Sequence, residues 1–255
     1  RSRRIMPVHL TTVQASAFKS TFETLKDILN DVNIMFRPSG VFITCLDTAR
    51  TSLIDLQLHA SNFEEYVCDE EEIIAGVNIA NCFKLLKTIS SNDVLKLAIT
   101  SKEFLNITIE SQDKKSKTEF ALKLLDINES RITLPEIAMN IITTLPSVDF
   151  QRLLRDMNHV SSGEIVITRE KNRIRFQCEG DFASQDTEIE TVETIDEKLS
   201  GLFSLKYLNI FAKSASMCSS MQLMQEKENR FLKIVYNVAC LGSLSFYLAS
   251  KIDTD

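Results

Sequence analysis

Tryptophan is absent from the 255 residues, and proline (four), glycine (six) and histidine (three) are scarce. So few punctuating residues exclude a collagen-like or low-complexity chain and leave room for long regular elements. His9, His59 and His159 lie far apart, and the six cysteines (45, 68, 82, 178, 218 and 240) include no C-x-x-C pair and no histidine at ligand spacing. No metal site or cofactor is therefore expected, and the thiols read as free and mostly buried in a reducing compartment. No apolar run approaches the ~18 residues needed to cross a bilayer as a helix. The start, Arg1-Ser2-Arg3-Arg4, has no initiator Met and no apolar segment behind it. It reads as a trimmed end, an expression remnant or a short basic tail rather than a secretory signal.

Catalytic signatures are missing as well. There is no Walker loop, G-x-G-x-x-G, G-x-S-x-G or H-E-x-x-H. Asp156 and His159 stand three apart at the end of a helical pattern, where a surface hydrogen bond is the ordinary outcome. An enzyme is the poorer hypothesis.

What is present is enough for two cores. The chain weighs 28.9 kDa and is 44% apolar, so two domains of ordinary size are within reach. A net charge of −6 argues against a general nucleic-acid binder, whose affinity rests on neutralising phosphates. That average conceals an uneven distribution of charge.

The chain also repeats itself. Phe18, Phe22, Leu25 and Ile28 line up with Phe150, Leu154, Met157 and Val160 at an offset of 132, and Phe42 and Thr44 fall on Ile174 and Phe176 at the same offset. A second helical pattern repeats at 126, with Ile79, Cys82, Leu86 and Lys87 against Leu205, Leu208, Ala212 and Lys213. One unit duplicated in tandem accounts for both.

Periodicity predicts helices over 15–30, 79–89, 147–158 and 205–214. The second has Ile79, Phe83 and Leu86 inward, and the third is capped near Ser147. Strands are predicted at 32–37, 40–46, 51–59, 63–67, 72–78, 94–99, 104–110 and 118–125 in the first half. The second half has them at 137–144, 163–169, 172–178, 186–193, 199–204, 219–225, 230–237 and 242–248. Residues 126–136 lose the pattern, and Pro135 near their end fits an extended linker. The expected organisation is an N-terminal tail (1–6), two similar α+β domains (7–125 and 137–255) and a connecting loop (126–136) between them.

Each helix carries two basic residues off its apolar stripe: Lys19 and Lys26, Lys84 and Lys87, Arg152 and Arg155, Lys206 and Lys213. Spacings of three and seven put each pair on one face. Acidic residues cluster instead in strand and loop stretches, at Glu64-Glu65, Asp69 to Glu72, and Glu188, Glu190 and Glu193. A chain acidic overall but basic on its helices presents a local positive surface. Cations without interleaved aromatics suit phosphate contact, which positions without reading sequence.

Several stretches share an order and spacing with one family. Ser39-Gly40-Val41, then Cys45-Leu46-Asp47 and Ser52-Leu53, resembles a family segment S-G-V…M-D…S-L. Gly76-Val77-Asn78-Ile79 with Lys84-Leu85-Leu86-Lys87 resembles G-V-N-L…K-I-L-K. Lys123-Leu124-Leu125-Asp126 and Leu134-Pro135-Glu136 bracket a linker, Leu145-Pro146-Ser147 with Phe150 and Arg155-Asp156 resembles M-P-S…F…R-D, and Tyr247-Leu248-Ala249 with Lys251-Ile252 resembles Y-L-A-P-K-I. Together, from about Pro7 to Ile252, they resemble the proliferating cell nuclear antigen family, the eukaryotic, archaeal and large-virus type of DNA sliding clamp.

The resemblance implies the DNA-clamp fold and a homotrimeric ring closed head to tail through sheet edges. One edge would be strand 118–125, with Phe120 (where the family has Tyr) and Leu122; the other would be strand 186–193, with Ile189. The segment between Cys178 and Leu202 departs from the family in being shorter and more acidic. All helices would line the hole, so that Lys19, Lys26, Lys84, Lys87, Arg152, Arg155, Lys206 and Lys213 face double-stranded DNA without regard to sequence. A groove under the connecting loop would take partner peptides at Leu46, Arg50, Ile132, Leu134, Pro135, Phe231, Tyr247 and Ala249, with Arg50 in place of a family His and Ser250 in place of a Pro. Lys171 matches the family's ubiquitin- and SUMO-accepting lysine; its plain alternative is a hairpin-turn lysine. Implied partners are a polymerase, a clamp loader and other proteins carrying a clamp-binding motif, in the nucleus or at a viral replication site. Two rivals remain: a subunit of a checkpoint-type heterotrimeric clamp, and a non-ring processivity factor, which should be strongly basic.

Overall fold

The computed structural model describes residues 8–128, 130–134, 137–161, 163–228 and 230–251. The tail 1–6, Pro135 and Glu136 lie outside the described residues. Two compact units emerge. One comprises the chain to Cys45, Asp55–Ile132 and Asn237–Leu244; the other comprises Leu46–Ile54, Thr133–Tyr236 and the chain from Ser245.

The first unit contains β1 (Val8–Thr12), α1 (Ala15–Leu25), β2 (Asp31–Arg37), most of β3 (Gly40–Leu46) and β4 (Ser52–His59), β5 (Glu65–Cys68), β6 (Ile73–Asn78), α2 (Ile79–Leu86), β7 (Asp93–Ser101), β8 (Phe104–Ser111) and β9 (Ser116–Lys123). Five strands form an antiparallel sheet in the order β5-β1-β7-β8-β9, and β2 pairs antiparallel with both β3 and β6. Between β2 and β3 the chain turns at Gly40, whose φ is +145°; a Cβ there would meet the Leu58 carbonyl oxygen at 1.9 Å. Only glycine takes that conformation and that proximity without strain.

Phe18, Phe22 and Leu25 are buried along α1, and the two rings stack at 5.2 Å. The helix is shorter than the expected 15–30. After Leu25 the backbone tightens into three-residue turns, with Asp27 N donating to Thr24 O (3.2 Å) and Ile28 N to Leu25 O (3.0 Å), although Leu29 continues the buried stripe. On α2 the inward positions are Ile79, Cys82 and Leu86. The expectation for Phe83 is corrected: it is half-buried, with the Lys26 ammonium 5.4 Å from its ring centre. Asn78 caps α2 by accepting from Asn81 N at 3.0 Å.

The second unit contains β10 (Ile141–Pro146), α3 (Ser147–Val160), β11 (Glu164–Glu179), β12 (Ser184–Ser204), α4 (Leu205–Phe211), β13 (Ser220–Gln225) and most of β14 (Phe231–Val238) and β15 (Gly242–Ala249). β13 pairs antiparallel with β10 and β14. α3 begins as expected at Ser147, but that side chain makes no capping bond; Pro146 holds the cap position with its fixed φ, and the Ser147 N–H donates to Ser219 O at 2.9 Å. α4 tightens into a 3-10 turn over Ala212–Ser216, which carries Lys213.

Two further expectations are revised. The strands expected at 163–169, 172–178, 186–193 and 199–204 fall within β11 and β12, where 164–169 pairs with 199–204 and 173–179 with 184–190. Register breaks flank Lys171, whose φ is +51°. The strand part of the repeat is off by one residue. Buried positions on β3 are Val41, Ile43 and Cys45, and those on β11 are Ile174, Phe176 and Cys178, so the structural offset is 133 rather than 132. Because side chains alternate faces, the pairing of Phe42 with Ile174 matches an outward residue to an inward one. The helical repeats hold: Phe150, Leu154 and Met157 are buried like Phe18, Phe22 and Leu25, and Leu205, Leu208 and Ala212 like Ile79, Cys82 and Leu86.

No disulfide joins the six cysteines, of which Cys45, Cys82 and Cys178 are buried; burial pushes the Cys82 thiol up to about 12. Among the described residues no helix is long and apolar enough to cross a membrane, and no group of three His, Cys, Asp or Glu is placed to hold a metal ion.

Candidate functional site

In the first unit α1 packs against α2, and in the second α3 packs against α4 and the turn after it. The apolar stripes fix these contacts and thereby set which way the cations face. They are not equivalent. Lys84, Lys87, Arg152, Arg155, Lys206 and Lys213 are exposed. Lys19 is half-buried, and its ammonium donates to the Ile89 carbonyl oxygen at 2.6 Å. Lys26 is held between the Phe83 ring and Asp27, 2.9 Å away. Arg152 reaches Asp149 at 3.3 Å, and Lys84 donates to the Asn81 side chain at 3.2 Å. Exposed ion pairs of this kind are worth only ~0.2–1 kcal/mol and hold these cations loosely.

Most of the residues expected to form the groove lie in the second unit. Leu46, Arg50, Leu134, Phe231, Tyr247 and Ala249 belong to the second unit and Ile132 to the first, while Pro135 lies outside the described residues. Phe231, Tyr247 and Ala249 are half-buried on alternate positions of β14 and β15, and Leu46 is 36% exposed at the end of β3. Lys233 lies with its ammonium 5.0 Å from the Tyr247 ring centre, which fixes the ring's orientation.

Arg50 sits at φ +56° in the turn between β3 and β4, and the device that holds this turn escaped the sequence reading. The nearly buried Asp47 carboxylate accepts from the backbone N–H of Ala49 (3.1 Å), Thr51 (2.7 Å) and Ser52 (2.6 Å) and from the Tyr207 hydroxyl (2.5 Å). Burial alone would raise the acid's pKa. The bonds from Tyr207 and the three amides outweigh it and hold Asp47 below the ordinary carboxylate range. The same contact, with burial as the larger cause, raises the Tyr207 phenol. The contact spans 160 residues, so no local pattern could signal it.

β9 is an edge strand of the five-stranded sheet, with Phe120 and Leu122 half-buried along it. Ile189 is half-buried on β12, where it lines a depression of about 440 Å³ together with Phe150, Leu153 and Arg152. Its neighbours Glu188 and Asp186 pair with Arg173 and Arg175 on β11.

Lys171 is exposed at the bend of β11. Beside it Arg169 is fully buried, and its guanidinium donates to the Thr143 hydroxyl (3.0 Å) and to the carbonyls of Lys171 (3.0 Å), Arg173 (3.1 Å) and Glu193 (2.8 Å). Burial lowers its pKa, partly offset by the charge of Glu193. A lone Arg in an alternating strand pattern gave no sign of this role.

Comparison with known proteins covers nearly the whole chain. Residues 8–131 match the sequence model described as proliferating cell nuclear antigen, N-terminal domain, and residues 133–251 match that of the C-terminal domain. A protein of Paramecium bursaria Chlorella virus 1 named probable DNA polymerase sliding clamp 1 is 35% identical over 253 residues, covering 94% of this chain and 95% of that one. The proliferating cell nuclear antigen of Chaetomium thermophilum is 31% identical over 254 residues, covering 95% and 97% respectively.

Proposed function

The chain belongs to the proliferating cell nuclear antigen family, and from that premise we propose how it works as a DNA sliding clamp. Its domains are taken as 7–125 and 137–255, joined by the loop 126–136. The observation that carries the mechanism is the repeated helix pair: in each unit two packed helices bury matching apolar stripes and turn cations to solvent.

Three copies close head to tail into a ring, β9 of one subunit joining the 186–193 stretch of the next. Phe120 and Leu122 meet Ile189 across each joint. The eight cations on the helices then line the hole. Each phosphate contact is weak, exchangeable and indifferent to base sequence, so the ring glides along duplex DNA while its topology prevents escape. Lys19, tied to a carbonyl, contributes field more than direct contact. The acidic remainder of a chain with net charge −6 repels DNA from the outer surface.

A polymerase, and other replication or repair proteins, attach by a short peptide laid into the groove at Leu46, Ile132, Leu134, Pro135, Phe231, Tyr247 and Ala249. Attachment converts rebinding at the primer end into an intramolecular event. Arg50 replaces a neutral ring with a fixed cation at the rim and favours peptides acidic at the facing position. The chain is a non-catalytic processivity factor, placed on DNA by a separate loader, acting in the nucleus or at a viral replication site. Lys171 is the site of regulatory conjugation.

Encirclement is tested with nicked circular DNA. The protein should elute at three times 28.9 kDa by light scattering, stay on circular DNA through a high-salt wash once loaded, and slide off when the circle is linearised. Retention on linear DNA, or a monomer mass at low micromolar concentration, would refute the ring.

A further inference from the structure

The connecting segment is fastened to the first unit over its first half. Leu125 makes an isolated antiparallel bridge with Gly76, donating its N–H to the Gly76 carbonyl at 2.8 Å. A Cβ on Gly76 would lie 2.2 Å from the Leu125 carbonyl oxygen, so only glycine permits this approach. Two residues on, the Asn33 side-chain amide donates to the Ile127 carbonyl at 3.1 Å. The segment thus runs backward along the free side of β6, from Gly76 toward Glu72.

There it meets a prepared carboxylate. Glu72 is only 13% exposed; its Oε2 accepts from the Arg37 guanidinium at 2.8 Å, and its Oε1 accepts from Arg131. Arg37 is itself steadied over the Phe42 ring, 5.3 Å from its centre. Arg37 and Glu72 therefore form a fixed post, and the exposed Arg131 is the end that closes onto it. Among the described residues Arg131 holds the last side-chain tie of this segment before β10. Ile132 and Leu134, both assigned above to the partner groove, follow at once.

We propose that Glu72 is a positioning residue for partner-peptide binding. By holding Arg131 it sets where the free part of the connecting loop begins, and so how much chain must be ordered when a peptide is held against it. The inference rests on the groove reading above. With Arg131 released, the last hold moves back to Ile127, and the added cost of ordering this stretch weakens peptide binding about threefold to tenfold.

The probe is a capped, uncharged synthetic peptide with one aliphatic and two adjacent aromatic residues, titrated calorimetrically into the full-length protein. Glu72→Gln should weaken it about threefold to tenfold and speed amide exchange over residues 127–131. Arg131→Gln should do the same, and the double variant should be no worse than either single one, because both remove one tie. Added salt should weaken binding to the unaltered protein toward that of Glu72→Gln. Unchanged affinity and exchange in both single variants would overturn the proposal. Tyr247→Ala is the control for the groove. If it binds as tightly as the unaltered protein, the groove reading falls; if it abolishes binding while the Glu72 and Arg131 variants bind normally, only the positioning role falls.

Discussion

Replacing Tyr207 with Phe removes one hydroxyl from the nearly buried Asp47 carboxylate, and its effect can be worked from the geometry. A hydrogen bond to a charged group contributes ~1.5–3 kcal/mol. Three backbone donors within 3.1 Å stay in place, so Asp47 is left under-satisfied rather than stranded, and the lower end applies. A loss of ~1.5 kcal/mol lowers the melting temperature of a unit this size by about 6 °C. The effect must depend on pH. Asp47's folded pKa lies below its ordinary value, so its stabilisation is complete above the unfolded value of ~3.9 and is lost as pH falls through the folded one. The gap between the two proteins should therefore be full at neutral pH and shrink below about pH 4. Tyr207 stays neutral throughout, since its own pKa is raised. Thermal unfolding at matched concentration over that range is the assay, with amide exchange at 48–51 reporting on the turn that carries Arg50. Equal melting temperatures at neutral pH, or a gap undiminished in acid, would refute the reasoning.

Three other outcomes are expected. Charge reversal at Arg152 and Arg155 should weaken polymerase stimulation on primed DNA and flatten its salt dependence; because Arg152 also lines the depression beside Ile189, the subunit mass must be measured alongside, and unchanged processivity with an intact ring would remove these residues from the DNA path. Lys84→Gln should reduce DNA affinity more than Lys19→Gln, since the Lys19 ammonium is engaged with Ile89 O at 2.6 Å, and equal losses in a binding titration would contradict that ranking. Arg169→Met leaves three carbonyls and a hydroxyl without their donor and should destabilise the second unit by about 3 kcal/mol in urea, with faster exchange around Lys171; a loss under 1 kcal/mol would mean that water replaces the guanidinium.

Much of the fold was legible because burial writes itself into spacing. The stripes Phe18-Phe22-Leu25 and Phe150-Leu154-Met157 give two helices and the duplication at once. Errors arose where a local pattern admits two solutions. Phe83 and Cys82 are neighbours on α2, and only packing decided that the smaller residue goes in while the larger lies under Lys26. The slip between Phe42 and Val41 is invisible without the paired strands, since a one-residue shift preserves composition. The cations of the helix faces were readable by position, but the tie of Lys19 to Ile89 was not. Asp47 stood out only as part of a family-like stretch. Its partner Tyr207, like Glu72 with Arg37 and Arg131, becomes evident only when residues distant in sequence are brought together.

The first unit treats the free flanks of β6 and β9 differently. Along β6 the chain lays Leu125 against the flank and ties Ile127 beside it, while β9 is left bare, with Lys117, Glu119 and Lys123 outward and Phe120 and Leu122 half-covered. A bare flank is adhesive to any extended chain. Sealing β6 while leaving β9 bare steers strand addition away from β6. β9 is then a connector of the subunit. If every connector finds its socket the assembly closes and no adhesive flank remains in solution; if sockets are blocked, exposed β9 becomes the seed of aggregation. Substitutions at the socket should therefore appear first as lost solubility, before any defect in replication is seen.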